Sequence, residues 1–364
     1  MSRTTHHAYD GSGLVNLVAE LEHRMTGSAI SPRLTDISLP IFEGAATTVF
    51  VLFDGLGSHQ LDHPRARDLA AAHVGSVEAP FPTTTTVSLA TIATGLPPSQ
   101  HGLIAYQLWN PAVGQVVNTI HMTTMWGDKI DQRHEDFLPG PNLWQRMSAA
   151  GIETITIQPD SFDRTPLTRA LYSGASFIPY TSIIQAVERT VAAASSPDRF
   201  VFLYIPHVDF AAHVAGQRSD EYDSAMSEAN AVWKNLTEQL PSDVLLVGTA
   251  DHGHIDIAEA NKVRLSKADQ EGLILYGDDR AMFVRGDGAA IASRIPGTWV
   301  PYSELEGMWG PGPMHQTFGE RRPDGIIFAD DDHAIFHSRS NDRLVGHHGG
   351  LSNAERLVPV LVRT

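Results

Sequence analysis

A carboxylate and an imidazole lie four residues apart in the segment PHVDFAAHVAG (206–216). If this segment is helical, the spacing places the side chains of Asp209 and His213 on one face, where both can bind the same divalent cation. Taken alone, the pair could equally be an aspartate that caps a helix and a partly buried histidine. The pair therefore indicates a metal site only if further ligands lie elsewhere in the chain.

Two further segments contain such ligands, TADHGH (249–254) and VGHHGGLS (345–352). In the first, Asp251 and His252 are adjacent at the end of an apolar run, so their side chains point in different directions and could bind two ions or bridge them. In the second, two histidines stand beside two glycines, whose missing side chains let a ligand or an ion approach the backbone closely. A turn with solvated histidines is the alternative interpretation of either segment alone.

A threonine-rich segment, FPTTTTVSLATIATGLPPSQHG (81–102), supplies a candidate nucleophile. Its apolar residues recur at helical spacing, and Gly95 followed by two prolines is a typical helix end, so we expect a helix that begins between Thr85 and Val87. The free backbone N–H groups and the positive end of the helix dipole at such an N-terminus bind phosphate and favour the alkoxide form of a hydroxyl. Threonine is also a common N-cap, so this segment alone does not identify a nucleophile.

Strands and helices alternate along the chain in a pattern that predicts an α/β fold. Continuous apolar runs predict strands that are buried on both faces and that end in polar or glycine residues. These runs are TTVFVLFDGLG (47–57), ETITIQPD (153–160), RFVFLYIPH (199–207) and DVLLVGTADHG (243–253). Amphipathic helices are predicted at 14–25 and 219–240, so we expect a three-layer sandwich with a mostly parallel central sheet. Ligands bind such sheets at the carboxyl ends of the strands, where Asp54, Asp209 and Asp251 fall.

The alternation of strands and helices breaks down between residues 255 and 325, where glycine, proline and charged residues cluster. We therefore expect three regions in the chain. They are an N-terminal helix and connection at 1–46, an α/β core formed by 47–254 and 326–364, and a small inserted cap at 255–325. A cap at this place would fold over the strand ends and shape a substrate pocket.

The composition limits which functions the chain can have. With 26 Lys plus Arg against 42 Asp plus Glu, the net charge is −16, which disfavours stable nucleic-acid binding through a broad basic face. The absence of cysteine excludes disulfides, thiolate metal sites and cysteine nucleophiles. No apolar stretch is long enough to span a membrane and the polar N-terminus has no secretory signal, so we expect a cytoplasmic protein, without a prediction for its oligomeric state.

In combination, these ordered motifs resemble the nucleotide pyrophosphatase/type I phosphodiesterase family of the alkaline phosphatase superfamily. The likeness extends from the strand at 47–57 to the histidine–glycine pair at 348–349, and 1–46 and 255–325 lie outside it. It implies an alkaline-phosphatase-like fold and a metal-dependent phosphoric ester hydrolase that acts on a small phosphate ester. It also implies two divalent cations as cofactors, most often zinc, although manganese or iron would suit the same imidazole and carboxylate ligands.

The resemblance implies a role for each matching residue. The Asp-Gly after the first strand, the F-P-T-x-T motif and the Asp-His-Gly motif imply that one ion is bound by Asp54, Thr85, Asp251 and His252. The D-x-x-x-H and G-x-H-G motifs imply that the other ion is bound by Asp209, His213 and His348, the second histidine of its pair. Thr85 is then the nucleophile, which attacks phosphorus and forms a phosphothreonine intermediate that water hydrolyses.

Two positions near the predicted site depart from the family pattern. Ser88 stands where these enzymes usually have an asparagine that contacts a phosphoryl oxygen, and its hydroxyl can still donate a hydrogen bond but reaches less far. Ala212 replaces a glycine before the histidine of D-x-x-x-H, a change that we expect to be tolerated. Phe53 and Phe210 are further candidates for substrate contact, by stacking on a base or an aromatic leaving group, with core packing as the alternative role.

We expect the remaining histidines near these motifs to take no direct part in the chemistry. His207, His254 and His347 adjoin predicted ligands in the sequence, and most such neighbours are solvated. His101, in SQHG, also fits the family pattern, and we expect it to orient a neighbouring group or to lie in a turn.

Phosphodiester or nucleotide pyrophosphate hydrolysis is the preferred prediction, because with a threonine as nucleophile the chain resembles phosphodiesterases and phosphonoacetate hydrolases. A phosphomonoesterase generally needs a cation beside the extra phosphate charge. No Lys or Arg lies near Thr85 in sequence, although Arg164, Arg169 or Arg280 could reach it through the fold. A phosphomonoesterase or phosphonoacetate hydrolase of the same superfamily is therefore an alternative. A protein that binds metal or phosphate without catalysis is a less favoured one, because it would not need the threonine hydroxyl.

Overall fold

The structure is a computed structural model that describes residues 9–39, 47–132, 137–338 and 340–363. In these ranges the strands are β1 (Thr47–Phe53), β2 (His73–Glu78), β3 (Gln107–Asn110), β4 (Gln115–Asn118), β5 (Thr123–Thr124), β6 (Glu153–Pro159), β7 (Ser176–Tyr180), β8 (Arg199–Ile205), β9 (Val244–Thr249), β10 (Ile255–Asp256), β11 (Lys262–Arg264), β12 (Ile274–Asp278), β13 (Ala281–Arg285), β14 (Gly297–Pro301), β15 (Gly325–Ala329), β16 (Ala334–Phe336), β17 (Gly346–His347) and β18 (Leu357–Val362). The α-helices are α1 (Leu14–Thr26), α2 (Arg67–Ala71), α3 (Thr85–Thr94), α4 (Pro98–His101), α5 (Leu143–Ala149), α6 (Pro166–Leu171), α7 (Ile183–Ala193), α8 (His207–Ala215), α9 (Asp220–Gln239), α10 (Ala289–Ala292), α11 (Phe318–Arg321) and α12 (Asn353–Arg356).

Seven strands form the central sheet, in the order β2-β18-β9-β1-β8-β6-β7. β1 lies in the middle and pairs in parallel with β8 on one side and β9 on the other, so that Thr47 is opposite both Arg199 and Val244. β6 and β7 continue the parallel arrangement, whereas β18 is antiparallel to both of its neighbours. Every residue of β1 is buried, because the strand is covered on both faces. The mostly parallel sheet predicted from the four apolar runs is confirmed.

Helices pack on this sheet in two groups. α2, α7 and α8 contact α9, and α3 contacts α1, α4, α5 and α6. The buried face of α9 has the helical spacing predicted for it and consists of Tyr222, Ala225, Met226, Ala229, Val232, Trp233 and Leu236. Since the inner strands are buried on both faces, one helix group covers each face, which gives the three layers expected. In the described part of the chain, no helix combines the length and the apolar character needed to cross a membrane.

A second sheet of seven strands has the order β14-β15-β13-β12-β3-β4-β5, and its strand pairs are antiparallel. Four of its strands come from the region 274–329, but β3, β4 and β5 come from 107–124, which the sequence analysis placed in the core. β15 also belongs here, because it pairs with β13 and β14, whereas the sequence analysis placed the apolar run at 325–331 with the core. A short apolar strand carries no signal for which sheet it joins, since either sheet buries it. The division into a core and a cap at 255 is therefore retained only as a proposal.

A buried ion pair links the second sheet to the C-terminal segment. Arg280 lies just before β13, and Nε and Nη2 of its guanidinium donate to the two carboxylate oxygens of Glu355, in α12, at 3.2 and 3.3 Å. The side chain of Arg280 is 2% exposed and that of Glu355 is fully buried. The guanidinium also donates to the backbone carbonyls of Asp330 and His333. Arg280, which the sequence analysis considered as a cation for the site, is therefore fully occupied by these partners.

Replacing Glu355 by glutamine should destabilise the protein strongly, because it leaves the buried guanidinium of Arg280 without a counter-charge. We expect the free energy of unfolding, measured by urea denaturation, to fall by about 3–5 kcal/mol. Glu153→Gln is the matched control, since Glu153 pairs with Arg199 on the surface and is 53% exposed. In that control the free energy of unfolding should fall by less than about 1 kcal/mol. Equally small losses in the two variants would show that the buried pair does not stabilise the fold.

Candidate metal centre

The carboxyl ends of β1 and β9 bring three predicted ligands together. Asp54 directly follows β1, and Asp251 and His252 follow β9 after one intervening residue. One ligand atom from each of these three residues lies within 4.8 Å of the others. Asp251 and His252 are fully buried, and Asp54 is 3% exposed. The register of the parallel strands, with Leu52 opposite Thr249, brings these side chains to the same edge of the sheet.

The carboxylates of this group contain buried oxygens that no hydrogen-bond donor satisfies. Oδ1 of Asp54 and Oδ2 of Asp251 have no partner among the described residues, whereas Oδ2 of Asp54 accepts from the hydroxyl of Tyr204. Burial raises the pKa of Asp54 well above its usual value, and the charges of Asp209 and Asp251 raise it further. Unpaired oxygens beside a second carboxylate are unfavourable in a buried site unless a cation or a proton is bound there.

A second group of four residues adjoins the first. Asp209 and His213 lie one turn apart on α8, and Nε2 of His213 is 3.3 Å from Oδ1 of Asp209, so the helical spacing places both on one face as predicted. His348 and His254 complete the group, with one ligand atom from each of the four residues within 4.8 Å of the others. The rings of His348 and His252 are stacked, with their centroids 3.8 Å apart, so the two groups share a boundary.

The hydrogen bonds of three histidines leave each Nε2 atom with a lone pair that can bind an ion. Each of the three has its Nδ1 within hydrogen-bond distance of a backbone carbonyl. The pairs are His213 with Gly346 at 2.7 Å, His252 with Gly253 at 3.1 Å, and His348 with Thr83 at 2.9 Å. A carbonyl oxygen only accepts, so Nδ1 carries the hydrogen and Nε2 keeps its lone pair, which is how ligating imidazoles are usually oriented. Burial lowers the pKa of His348 well below its usual value, and this keeps the lone pair available.

The hydroxyl of Thr85 lies beside the first group, at the start of a helix. α3 begins at Thr85, as the sequence predicted, and ends before Gly95, which has a φ of 69°. Oγ1 of Thr85 is 3.1 Å from Nε2 of His252. The first N–H groups of a helix have no partner within the helix, so the residue that opens α3 is next to donors for an anionic ligand.

A cavity of about 290 Å³ opens over Thr85 and the second group. Asp209, His213 and His348 contribute to its lining, together with Thr85, which lies beside the first group. Asp278 and Asp279, at the end of β12, come from the second sheet and form part of its wall. Burial raises the pKa of Asp278 to about 8, and the neighbouring charge of Asp279 adds to this.

The charge of the site is strongly negative without bound ions. The two groups contain three carboxylates, and among the described residues that line the cavity there is no lysine or arginine. Burial by itself raises the pKa of Asp209, but His213 and the hydrogen bond from His254 outweigh burial and lower it, so this carboxylate is charged. Two clusters of carboxylate and imidazole ligands with unsatisfied buried oxygens suit two divalent cations. The residues present therefore fit the metal centre that the resemblance implies.

Two motif glycines allow the close approach of the elements that carry these ligands. Gly55 follows Asp54 with a φ of 74°, and a Cβ atom there would lie 2.8 Å from the Cα of Asp209. Gly253 follows His252, and a Cβ atom there would lie 2.1 Å from the carbonyl oxygen of Ala354. Any larger residue at either position would push apart segments that hold the ligands.

The three residues predicted to contact substrate lie outside the lining of the cavity. Ser88 is fully buried and donates its hydroxyl to the carbonyl of Asp251 at 2.7 Å. Phe53 is fully buried within β1, and Phe210 is 68% exposed on α8. None of the three lines the cavity described above, and a substrate role for them remains only a prediction. The hydroxyl of Ser88 instead supports the turn that presents Asp251 and His252.

Three histidines for which the sequence predicted no direct role, His101, His254 and His347, are buried. His254 is fully buried within the second group, and His347 is 2% exposed, so the expectation that they are solvated is wrong. Nε2 of His347 is 3.1 Å from the carbonyl of Leu344, and its Nδ1 is 3.4 Å from Asp279. His101 is buried, with Nε2 3.1 Å from the hydroxyl of Thr91 and Nδ1 accepting from the backbone N–H of Leu103.

The sequence of the chain matches known proteins over most of its length. Residues 48–306 match the family described as type I phosphodiesterase / nucleotide pyrophosphatase. An uncharacterized pyrophosphatase/phosphodiesterase of Schizosaccharomyces pombe is 25% identical over 228 residues, which are 57% of this chain and 44% of that protein. The chain thus matches less than half the length of this curated relative.

Solved structures show the same fold at low sequence identity. Murine ectonucleotide pyrophosphatase / phosphodiesterase 5 has a TM-score of 0.67 at 20% identity, over 86% of this chain and 87% of that one. An inactive variant of the murine protein in complex with AMP has the same TM-score at 19% identity, with the same coverage. Phosphonoacetate hydrolase from Sinorhizobium meliloti 1021, in complex with phosphonoacetate, has a TM-score of 0.64 at 16% identity, over 90% and 92% of the two chains.

These similarities agree with the order of motifs along the chain and with the α/β architecture built on the central sheet. The expected fold class is confirmed, and the expected enzyme class, a phosphoric ester hydrolase, is confirmed at the level of the family. With a match that extends over residues 48–306, the chain belongs to the type I phosphodiesterase / nucleotide pyrophosphatase family.

Proposed function

We propose that this chain hydrolyses phosphodiester or nucleotide pyrophosphate bonds with two divalent cations, through a phosphothreonine intermediate on Thr85. One observation carries the proposal. The hydroxyl of Thr85 lies at a helix N-terminus, 3.1 Å from Nε2 of His252, and Thr85 lines the same cavity as Asp209, His213 and His348. A nucleophile, one ligand group and an anion-binding helix end therefore meet at one cavity, and the other ligand group adjoins the nucleophile through His252. A protein that only binds metal would not need this hydroxyl.

Each group in the site has a distinct task in this mechanism. When bound, two cations would stabilise the attacking and leaving oxygens of an in-line displacement. The imidazole lone pairs and the buried carboxylates hold these cations. The N-terminus of α3 binds non-bridging phosphoryl oxygens through its free N–H groups. Oγ1 of Thr85 loses its proton to solvent and forms a bond to phosphorus as the bond to the leaving-group oxygen breaks. Water then attacks phosphorus in the second step, the bond from phosphorus to Oγ1 breaks, and Oγ1 regains a proton.

The charge of the cavity wall favours diesters over monoesters. A phosphomonoester carries one more negative charge than a diester and needs a cation to balance it. Asp279 contributes a negative charge instead, Asp278 is mostly neutral at pH 7 because burial raises its pKa to about 8, and no lysine or arginine is found among the described lining residues. Arg164 and Arg169, considered as cations in the sequence analysis, are exposed and do not line the cavity. Phosphonoacetate carries a carboxylate as well as a phosphonate, so the same argument disfavours it.

Two of the solved relatives bind a phosphate ester or a phosphonate. The murine protein binds AMP in an inactive variant, and the bacterial enzyme binds phosphonoacetate. A nucleoside monophosphate is the product expected from a nucleotide pyrophosphate or a nucleoside diester. We also propose zinc as the metal, because imidazole and carboxylate ligands without thiolate suit it. A cytoplasmic location remains a proposal that rests on the sequence.

Removal of the threonine hydroxyl should abolish turnover. For Thr85→Ala we expect the rate of diester hydrolysis to fall by at least about 10³-fold, because alanine removes the hydroxyl that lies beside His252. Metal content, measured by elemental analysis, should stay near that of the unmodified protein, because carboxylates and imidazoles supply the other ligands. Thr85→Ser keeps a hydroxyl and is the matched control, which should retain much more activity. An active alanine variant would show that Thr85 is not the nucleophile.

The preference for diesters can be measured with three chromogenic substrates. We expect kcat/KM for bis-p-nitrophenyl phosphate or a nucleoside p-nitrophenyl phosphate to exceed that for p-nitrophenyl phosphate by at least about tenfold, or about 1.4 kcal/mol in transition-state free energy. Asp279→Asn removes one charge from the cavity wall and should narrow this ratio. A higher kcat/KM for the monoester than for the diesters would contradict the proposed diesterase activity and favour a phosphomonoesterase.

Metal removal should lower activity and stability together. A bound ion stabilises the folded state by about 4 kcal/mol when its free concentration is about 1,000 times its dissociation constant. Dialysis against a chelator should therefore lower the midpoint of thermal unfolding and abolish hydrolysis. Addition of zinc should restore both, with a stoichiometry of two ions per chain. Bound zinc that raises stability without turnover on any of the three esters would instead indicate a non-catalytic binding protein.

A further inference from the structure

His254 belongs to the second ligand group but differs from the other three histidines in its hydrogen bonds. His213, His252 and His348 each direct Nδ1 to a backbone carbonyl, which leaves Nε2 for an ion. In His254, Nδ1 is buried and has no hydrogen-bond partner in the described part of the chain, whereas Nε2 is 2.7 Å from Oδ1 of Asp209. The group therefore contains one imidazole whose Nε2 already has an acceptor.

The position of the hydrogen on His254 follows from these two environments. A carboxylate oxygen only accepts, so a contact of 2.7 Å with Asp209 requires a hydrogen on Nε2 of His254. The opposite tautomer would place two lone pairs against each other and would also bury an N–H on Nδ1 with no acceptor. Buried N–H groups without an acceptor are rarer in proteins than buried acceptors without a donor. The Nε2–H tautomer is therefore the favoured one, and in it the nitrogen that faces Asp209 has no lone pair for an ion.

The ring of His254 is fixed in this orientation by its neighbours. The side chain is fully buried, and the ring stands edge-on to that of His213, with centroids 4.7 Å apart. The absence of a Cβ at Gly55 is needed for its position, since such an atom would lie 2.9 Å from Cδ2 of His254. Burial of the ring, its contact with His213 and the hydrogen bond to the carboxylate of Asp209 favour the orientation in which Nε2 faces Asp209.

We propose that His254 is a positioning residue, which holds the carboxylate of Asp209 by an Nε2–H hydrogen bond and is not itself a metal ligand. The inference rests on the proposed metal centre and adds to it a residue that none of the matched motifs contains. A carboxylate oxygen has two lone pairs, so Oδ1 can accept from His254 while the carboxylate binds an ion through its remaining lone pairs. His254 thus orients the carboxylate of Asp209 by a hydrogen bond, as the backbone carbonyls orient the ligating imidazoles.

Two substitutions separate a positioning residue from a ligand. His254→Gln retains an N–H donor near the place of Nε2 but offers no imidazole, and His254→Leu removes the donor. Zinc affinity is measured by chelator competition, without reference to activity. We expect the leucine variant to lose about 10–100-fold in affinity at one of two sites, the usual cost of losing a partner that orients a ligand. The glutamine variant should stay within a few-fold of the unmodified protein, and the absorption spectrum of its cobalt(II) form should be unchanged.

Two controls complete the experiment. His207→Leu removes a histidine on α8, the helix of Asp209 and His213, that belongs to neither ligand group. This variant should leave the zinc affinities of both sites unchanged. The crystal structure of the unmodified protein with zinc tests the same point without any variant, in case His254→Leu does not fold. It should show Nε2 of His254 still bonded to Asp209 and beyond the distance of about 2.1 Å at which zinc binds nitrogen.

Other outcomes overturn the inference. Equal losses of affinity in His254→Gln and His254→Leu, or a zinc–Nε2 bond in the crystal, would make His254 a ligand. No loss of zinc affinity in either variant would show that His254 has no effect on the metal site. Failure of the unmodified protein to bind two ions would overturn the proposed function as well, whereas two ions bound with normal affinity in every variant would overturn only the role of His254.

Discussion

The repulsion among three closely spaced carboxylates is the constraint on which the site depends. Asp54 and Asp251 are buried and Asp209 is partly buried beside them, and the described residues that line the adjoining cavity include no lysine or arginine. A protein interior supports such a cluster only when cations or protons neutralise it. Burial raises the pKa of Asp54, and the repulsion from Asp209 and Asp251 raises it further. The fold therefore holds these groups in an arrangement that is complete only with bound ions.

The fold meets this constraint with main-chain groups more than with side chains. The parallel register of β1 and β9 places two carboxylates at one edge of the sheet, and α8 adds the third from the segment after β8. Backbone carbonyls orient three imidazoles, and two glycines let the segments that carry them pack closely. Because main-chain positions are set by the whole sheet, the geometry of the ligands is tied to the stability of the central strands.

Much of the site could be predicted because its residues obey local rules. The spacing of four in Asp209 and His213 specifies one helical face, and the residues after an apolar strand must lie at the edge of the sheet. The start of α3 at Thr85 followed from the apolar periodicity and the glycine stop. For the same reasons, the parallel core was predictable from four apolar runs.

What could not be predicted depends on contacts between distant segments. His254 follows the same strand as Asp251, but its position within the second group depends on α8, which lies elsewhere in the sequence. Ser88 has the polarity of a substrate contact, yet its hydroxyl bonds to the carbonyl of Asp251. Phe210 lies on α8 one residue after Asp209, and only the packing of that helix turns its ring towards solvent.

The second sheet limits how the cavity of this chain can change. The sheet places strands from 107–124 beside strands from 274–329, and the two sets join where Gly277 pairs with Gln107. It cannot be excised as one continuous segment, because removal of the later strands would expose the edge of β3. A change in the shape of this sheet therefore requires coordinated change in two stretches of the gene, whereas single wall residues can be replaced one at a time.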